Sequence, residues 1–337
     1  MDRQVARPRH QAVGTASLIF LGDVMLGRLV NQELKRRPPE YVWGNTLYLL
    51  RQAAAVFINL ECAITDWGEP VPGKRFCFRT DSKNVEVLRV AGVRGVCLAN
   101  NHIMDYGDAG LLETLANLDR AGIAHAGAGR NLPEARKAAE LEVAGLKVAF
   151  IAATDNQPDW EATEDHPGVF YVPIKPADPR FGALLELVAA AKARSDLVIV
   201  SLHWGPNWGY DPPAEHRPAA RRLVEAGADI IHGHSAHIFR GIELMGGRPV
   251  FYSCGDFVDD YAVDEVERND WSFIFEVELS GPKISKVILT PTIIADFQAR
   301  LAPAPYREAI LSRMLALCFK FGTPVKQVND RLEITVG

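Results

Sequence analysis

The sequence predicts an α/β fold, and three observations carry that expectation. Short apolar runs alternate with stretches whose apolar residues recur at helical spacing. Nearly every apolar run ends in Asp, Glu, Asn or His. The composition, 48% hydrophobic and 23% charged, is that of an ordinary globular chain.

The elements follow in order. A buried strand is expected at 17–21 (SLIFL), ending in Gly22-Asp23. Another at 54–60 (AAVFINL) ends in Glu61, and one at 93–98 leads into Ala99-Asn100-Asn101-His102. Residues 109–120 place Leu111, Leu112, Leu115 and Leu118 on one helical face, closed by Gly122. Strands at 146–152 and 197–202 continue the series, with helices at 181–194 and 217–226. Asp229–Ile231 runs into His232-Gly233-His234, and 250–253 runs into Cys254-Gly255-Asp256. Residues 271–279 and 284–290 alternate around Gly281-Pro282, a hairpin pattern. A helix at 306–319 and a strand at 331–336 close the chain, and the Pro-rich 173–179 is read as a loop. The 337 residues could divide into two domains by length, but one large α/β unit holds them. A single domain over 15–337 with a tail at 1–14 is expected.

Other classes are excluded. Lys+Arg is 37 and Asp+Glu is 42, a net charge of −5, so the basic footprint of a nucleic-acid binder is missing. No run approaches the roughly 18 apolar residues of a membrane span, and the stretch from Val13 to Met25 is broken by Asp23. The basic N-terminus has no apolar run or cleavage site behind it, so no secretory signal is read. Five scattered cysteines without a CxxC pair make neither a disulfide framework nor a thiolate zinc site. A cytoplasmic protein, with no nucleic-acid or membrane partner, is expected.

The strand ends carry the chemistry. Ligand sites in open α/β sheets lie outside the carboxyl ends of the strands. Asp23, Glu61, Asn101-His102, His203, His234 with His237, and Asp256 all fall there. Singly, each has a plain role: Asp23 as a turn or cap, a lone His as a satisfied core residue. Together, one per strand end, they point to a shared metal site, because imidazole is the commonest metal-binding side chain.

Their order, Gly22-Asp23, Asn59-Leu60-Glu61, Asn101-His102, His203-Trp204-Gly205, Gly233-His234-x-x-His237 and Cys254-Gly255-Asp256-Phe257, resembles the CapA capsule-synthesis family. That family is a branch of the calcineurin-like metallophosphoesterases. The resemblance runs from about Leu18 to about Asp260. It implies a four-layer sandwich, two β-sheets flanked by helices, with two divalent ions at one edge. One ion would take Asp23, Glu61 and His237. The other would share Glu61 and add Asn101, His203 and His234. His102 matches the general-acid position. A mixed oxygen and nitrogen set suits Mn²⁺, Zn²⁺, Fe, Mg²⁺ or Ca²⁺.

The chain departs from the broader phosphoesterase pattern. Asp-x-His at the first strand is Asp23-Val24-Met25, and the shared carboxylate is Glu61 rather than Asp. Asp256 replaces Asn after the late strand, with Asp259 and Asp260 nearby. Trp204, Trp208 and Tyr210 lie on a Gly/Pro-shaped loop and are read as either a packed plug or a substrate pocket. Lys74, Arg75 and Arg79 could form an anion-binding rim, although a solvated loop is the plainer reading.

Four functions are weighed. The expected one is similar to the soluble lasso-peptide epimerases of this branch: Cα epimerisation of a C-terminal, possibly aromatic, residue of a ribosomal precursor peptide. His102 would serve one face, with Asp23, Asp256 or Tyr210 on the other. The absent N-terminal anchor, the altered first motif and the aromatic loop motivate it. The alternatives are a metal-dependent phosphoester hydrolase with His102 protonating the leaving group, an accessory protein of poly-γ-glutamate synthesis, and a non-enzymatic binding protein.

Overall fold

A computed structural model of the protein describes residues 15–337; the tail expected at 1–14 lies outside them. The strands used below are β1 (Thr15–Val24), β2 (Ala55–Leu60), β3 (Val93–Cys97), β4 (Leu146–Thr154), β5 (Leu197–His203), β6 (Ile230–His234), β7 (Arg248–Phe251), β8 (Asp256–Val258), β9 (Trp271–Ser280), β10 (Lys283–Ala295) and β11 (Arg331–Thr335). The helices are α1 (Arg28–Leu34), α2 (Val85–Val90), α3 (Gly107–Ala121), α4 (Pro179–Lys192), α5 (His216–Ala226) and α6 (Ala304–Phe319).

Two mixed sheets face each other. The larger runs from edge strand Lys326–Val328 through β11, β10, β9, β1, β2 and β3 to Ala124–Ala126, with β8 beside β1 and Gln298–Leu301 beside β10. The smaller runs Ile242–Met245, β7, β6, β5, β4, Ala139–Val143. The inner strands β1–β2–β3 and β4–β5–β6–β7 are parallel. Parallel strands buried on both faces require near-continuous apolar runs, which the sequence supplies.

Period-2 alternation builds the layers. Leu18 and Phe20 of β1, Phe57 of β2, Phe150 of β4 and Ile199 of β5 fill the core between the sheets. Ile19, Leu21, Val56 and Ile58 point the other way, under α2 and α3 through Leu88, Leu111 and Leu118. Ala149, Ile151, Val198 and Val200 meet α4 and α5 through Leu184, Val188 and Leu223. The result is helix, sheet, sheet, helix, the four-layer sandwich expected from the sequence. The α3 helix ends at Gly122, whose φ of 67° is the left-handed C-terminal stop expected of that glycine.

Most boundaries shift by one or two residues from expectation, and the strand expected at 284–290 runs on to Ala295 because Gln298–Leu301 folds back to pair with it. The first strand runs past Leu21 to Val24 because β8 pairs beside its end, Asp23 opposite Asp256. The strand expected at 250–253 is Arg248–Phe251, since its pairing with β6 ends at Phe251. No described helix is long and apolar enough to cross a membrane.

Candidate metal centre

The carboxyl ends of β1, β2, β3, β5 and β6 meet along one edge of the sandwich. Gly22 makes the closest approach: a Cβ there would lie 1.7 Å from the Gly255 carbonyl oxygen. The Asp23 amide donates to that oxygen at 2.9 Å, which sets Asp23 beside Asp256. Beyond β6, Ser235 (φ 102°) and His237 (φ 57°) adopt left-handed backbone. Such strain in non-glycine residues is typical of functional turns; here it brings His237 to Asp256, Nδ1 to Oδ1 2.9 Å.

The side chains form two groups whose ligand atoms all lie within 4.8 Å of one another. One is Asp23, His203 and His234; the other is Asp23, Glu61, His237 and Asp256. Asp23 is therefore common to both, where the resemblance gives Glu61 that place. Asp256, outside the inferred ligand set, belongs to the second group. Asn101 keeps a buried side-chain oxygen with no partner, available as a further donor. Met25 replaces the expected imidazole and turns its sulfur to the Gly27 amide at 3.0 Å.

A divalent cation fits this set. Asp23 Oδ2, Glu61 Oε2 and Asp256 Oδ2 are buried without hydrogen-bond partners, an arrangement that costs stability unless something pairs with them. Burial pushes Asp23 up to about 6, against the pull of His237. Burial, then the neighbouring carboxylates, push Glu61 and Asp256 well up. Burial pushes His203 and His234 well down. Neutral imidazoles are ready ligands, and bound cations would hold the carboxylates ionised.

Hydrogen-bond direction orients His234. His232 Nε2 lies 2.7 Å from the Leu21 carbonyl, which can only accept, so Nε2 carries the proton. Its Nδ1 then accepts from Ser201 Oγ at 3.0 Å. Ser201 has one hydroxyl proton, so it accepts from His234 Nε2 at 3.0 Å. That leaves the His234 Nδ1 lone pair facing His203 Nδ1 at 3.0 Å and Asp23 at 3.9 Å. On the other side, Asn100 donates to Asn59 Oδ1 at 3.0 Å and Asn59 donates to Asp23 Oδ1 at 2.7 Å. Such outer partners typically change metal affinity about 10–100-fold. Ser201→Ala is accordingly expected to weaken metal binding by about that factor in calorimetric titration, with Ser201→Thr retaining it. Unchanged affinity in Ser201→Ala would show that the hydroxyl only fills space.

His102 is 8% exposed and lines a cavity of about 380 Å³ beside His237. Its Nδ1 lies 2.6 Å from Asp105 Oδ2, leaving Nε2 as the free ring nitrogen. Burial lowers its pKa to about 4, with Asp105 opposing. Asp105, absent from the sequence-level candidates, also binds the Phe78 amide and Lys74. Its signal was the spacing: a carboxylate three residues after a histidine in a turn.

The aromatic loop divides. Trp208 is 44% exposed and lines the cavity. Trp204 does not: it is fully buried, stacked on His216 at 4.1 Å, its Nε1 donating to the Tyr252 carbonyl. It follows His203 directly, so alternation sends it to the opposite face. Tyr210 donates to the Glu267 carbonyl at 2.6 Å and does not line the cavity either. Lys74 is drawn inward to Asp105 and the Asn101 carbonyl, while Arg79 stacks on Tyr106.

Residues 17–261 match the family described as Bacterial capsule synthesis protein PGA_cap. A probable polyglutamine synthesis accessory protein of Mycobacterium tuberculosis is 40% identical over 287 residues, covering 73% of this chain and 74% of that one. The PGA biosynthesis protein CapA of Bacillus subtilis is 32% identical over 247 residues, covering 72% and 63%. A hypothetical protein from Thermus thermophilus aligns with a TM-score of 0.49 at 16% identity, over 85% of this chain and all of that one.

Proposed function

The chain belongs to the bacterial capsule synthesis PGA_cap family, and from that premise we propose that it is a metal-dependent phosphoester hydrolase serving the synthesis of an acidic polymer such as polyglutamate. The observation that carries the chemistry is a histidine–aspartate pair, His102–Asp105, at a cavity that also reaches His237 of the orphaned carboxylate cluster.

Asp23, His203 and His234 would hold one divalent cation, and Asp23, Glu61, His237 and Asp256 a second. When bound, the cations supply Lewis-acid stabilisation of an anionic oxygen of the substrate. His102 Nε2 faces the leaving group. An anionic substrate beside it favours the imidazolium, and Asp105 stabilises that form through Nδ1–H. Phe78, stacked on the His102 ring at 4.0 Å, fixes its plane and excludes water.

Epimerisation has less behind it. Two of the three loop aromatics that motivated a pocket for an aromatic residue lie away from the cavity, and the names of the family and its relatives concern capsule, polyglutamine and PGA synthesis. The deciding assay supplies Mn²⁺, Zn²⁺, Fe²⁺ or Mg²⁺ to the purified protein with aryl phosphate mono- and diesters. Turnover that chelation removes and one of these ions restores is expected. No turnover with any ion, with deuterium entering a peptide Cα in heavy water, would replace this reading with the epimerase one.

A further inference from the structure

We propose that Arg28 is the recognition residue for a second acidic group of the substrate, a carboxylate carried on a flexible apolar arm one ring's breadth from the reacting centre. The proposal deepens the anionic-substrate reading above and rests on it.

Arg28 opens α1, just after the Gly27 turn, with φ 50°, left-handed backbone that a non-glycine residue holds only where its surroundings enforce it. Asp260 enforces it. This fully buried carboxylate accepts from Arg28 Nε at 3.1 Å and from the Leu29 amide at 3.0 Å. The two terminal guanidinium nitrogens hydrogen-bond to none of the described residues. Arg28 lines the cavity of about 380 Å³, its guanidinium carbon 5.6, 5.5 and 6.0 Å from the rings of Phe76, Phe78 and Tyr261.

Two of those rings reach the reacting groups. Phe78 stacks on His102 at 4.0 Å, and Tyr261 stands edge-on to His237 at 5.3 Å. One continuous wall therefore leads from the guanidinium to the general-acid imidazole and to the carboxylate cluster. A ligand whose first anionic group lies at the cluster would lay its apolar arm on Phe78 and Tyr261 and present its next acid to Arg28. The planar fork of a guanidinium matches a carboxylate in two parallel hydrogen bonds. The rings around it hold the fork in place and reduce its hydration. None of the three basic residues of the 67–79 loop lines the cavity: Lys74 is taken by Asp105, Arg79 stacks on Tyr106, and Arg75 lies over Phe76.

The test is calorimetric binding to the metal-loaded protein, with a γ-linked glutamate trimer as one probe and inorganic tripolyphosphate as the other. Wild-type protein should bind the trimer. Arg28→Gln should weaken that binding about 10–100-fold, the scale of a lost charged hydrogen bond. Arg28→Lys, which keeps the charge but loses the fork, should fall between them. Thermal unfolding of each variant separates recognition from misfolding. Trimer affinity within twofold of wild type in a folded Arg28→Gln, or no binding by wild type, overturns the proposal. A loss confined to tripolyphosphate makes the second group a phosphate and overturns the carboxylate assignment. Trimer binding that depends on Arg28 in a protein that hydrolyses no phosphoester supports the recognition role and removes only the hydrolase reading.

Discussion

Asp23→Asn is expected to leave the protein unable to hold its metals, because Asp23 belongs to both ligand groups. Metal affinity should fall by more than the ~100-fold that loss of an outer partner alone can cause. Turnover should fall with it. The metal-free protein should respond in the opposite direction. Burial raises the Asp23 pKa to about 6 from an ordinary 3.8. Between those values the folded state binds more protons than the unfolded one, so its stability declines as pH rises. Above pH 6 the buried carboxylate must ionise without a counterion, and the full penalty is present. Asparagine removes that charge and still accepts from Asn59. Metal-free Asp23→Asn should therefore melt at a higher temperature than metal-free wild type at pH 7.5, with the gap closing toward pH 4. Metal content measured on the same samples checks the first half. Metal content unchanged in Asp23→Asn would remove Asp23 from its shared position.

The second large effect separates chemistry from metal binding. His102→Asn should keep its metal content, since His102 lies outside both ligand groups. Its kcat should fall about 10²–10⁴-fold, the range for a positioned general acid. The loss should be smallest for substrates with good leaving groups, which need least protonation. Asp105→Asn should produce a smaller loss and move the pH profile, because Asp105 orients His102 rather than meeting the substrate. A His102→Asn variant within a few-fold of wild type on a poor leaving group would show that the proton comes from elsewhere.

Much of this architecture was legible because parallel strands impose a simple rule. Their buried runs are continuous and apolar, and their carboxyl ends share one edge. Polar residues just past those runs, from Asp23 to Asp256, could thus be assigned to one place before any coordinate was known. The same periodicity could have corrected one expectation. His203 and Trp204 are neighbours on an extended chain, so both cannot face the site. With His203 beside Asp23, Trp204 had to pack on the α5 side, against His216.

Other features carried no such rule. Nothing in the order of motifs shows that Asp23 lies within reach of both groups of side chains; the packing of the strand ends does. His232 resembles its ligand neighbours in sequence, yet its ring is engaged by Leu21 and Ser201 and serves to orient His234. Arg28 lies 232 residues from Asp260 and was one arginine among many until the fold set it among three rings.

The sequence by itself determined the α/β class, the family and the edge at which the chemistry gathers, because hydrophobic periodicity and residue type are local properties of the chain. Tertiary structure alone decided which carboxylate lies within reach of both groups of side chains, which imidazole nitrogen is free and which arginine reaches the cavity. Those depend on side-chain direction and on distances between residues far apart in the chain, which close packing of two sheets fixes and local pattern does not encode.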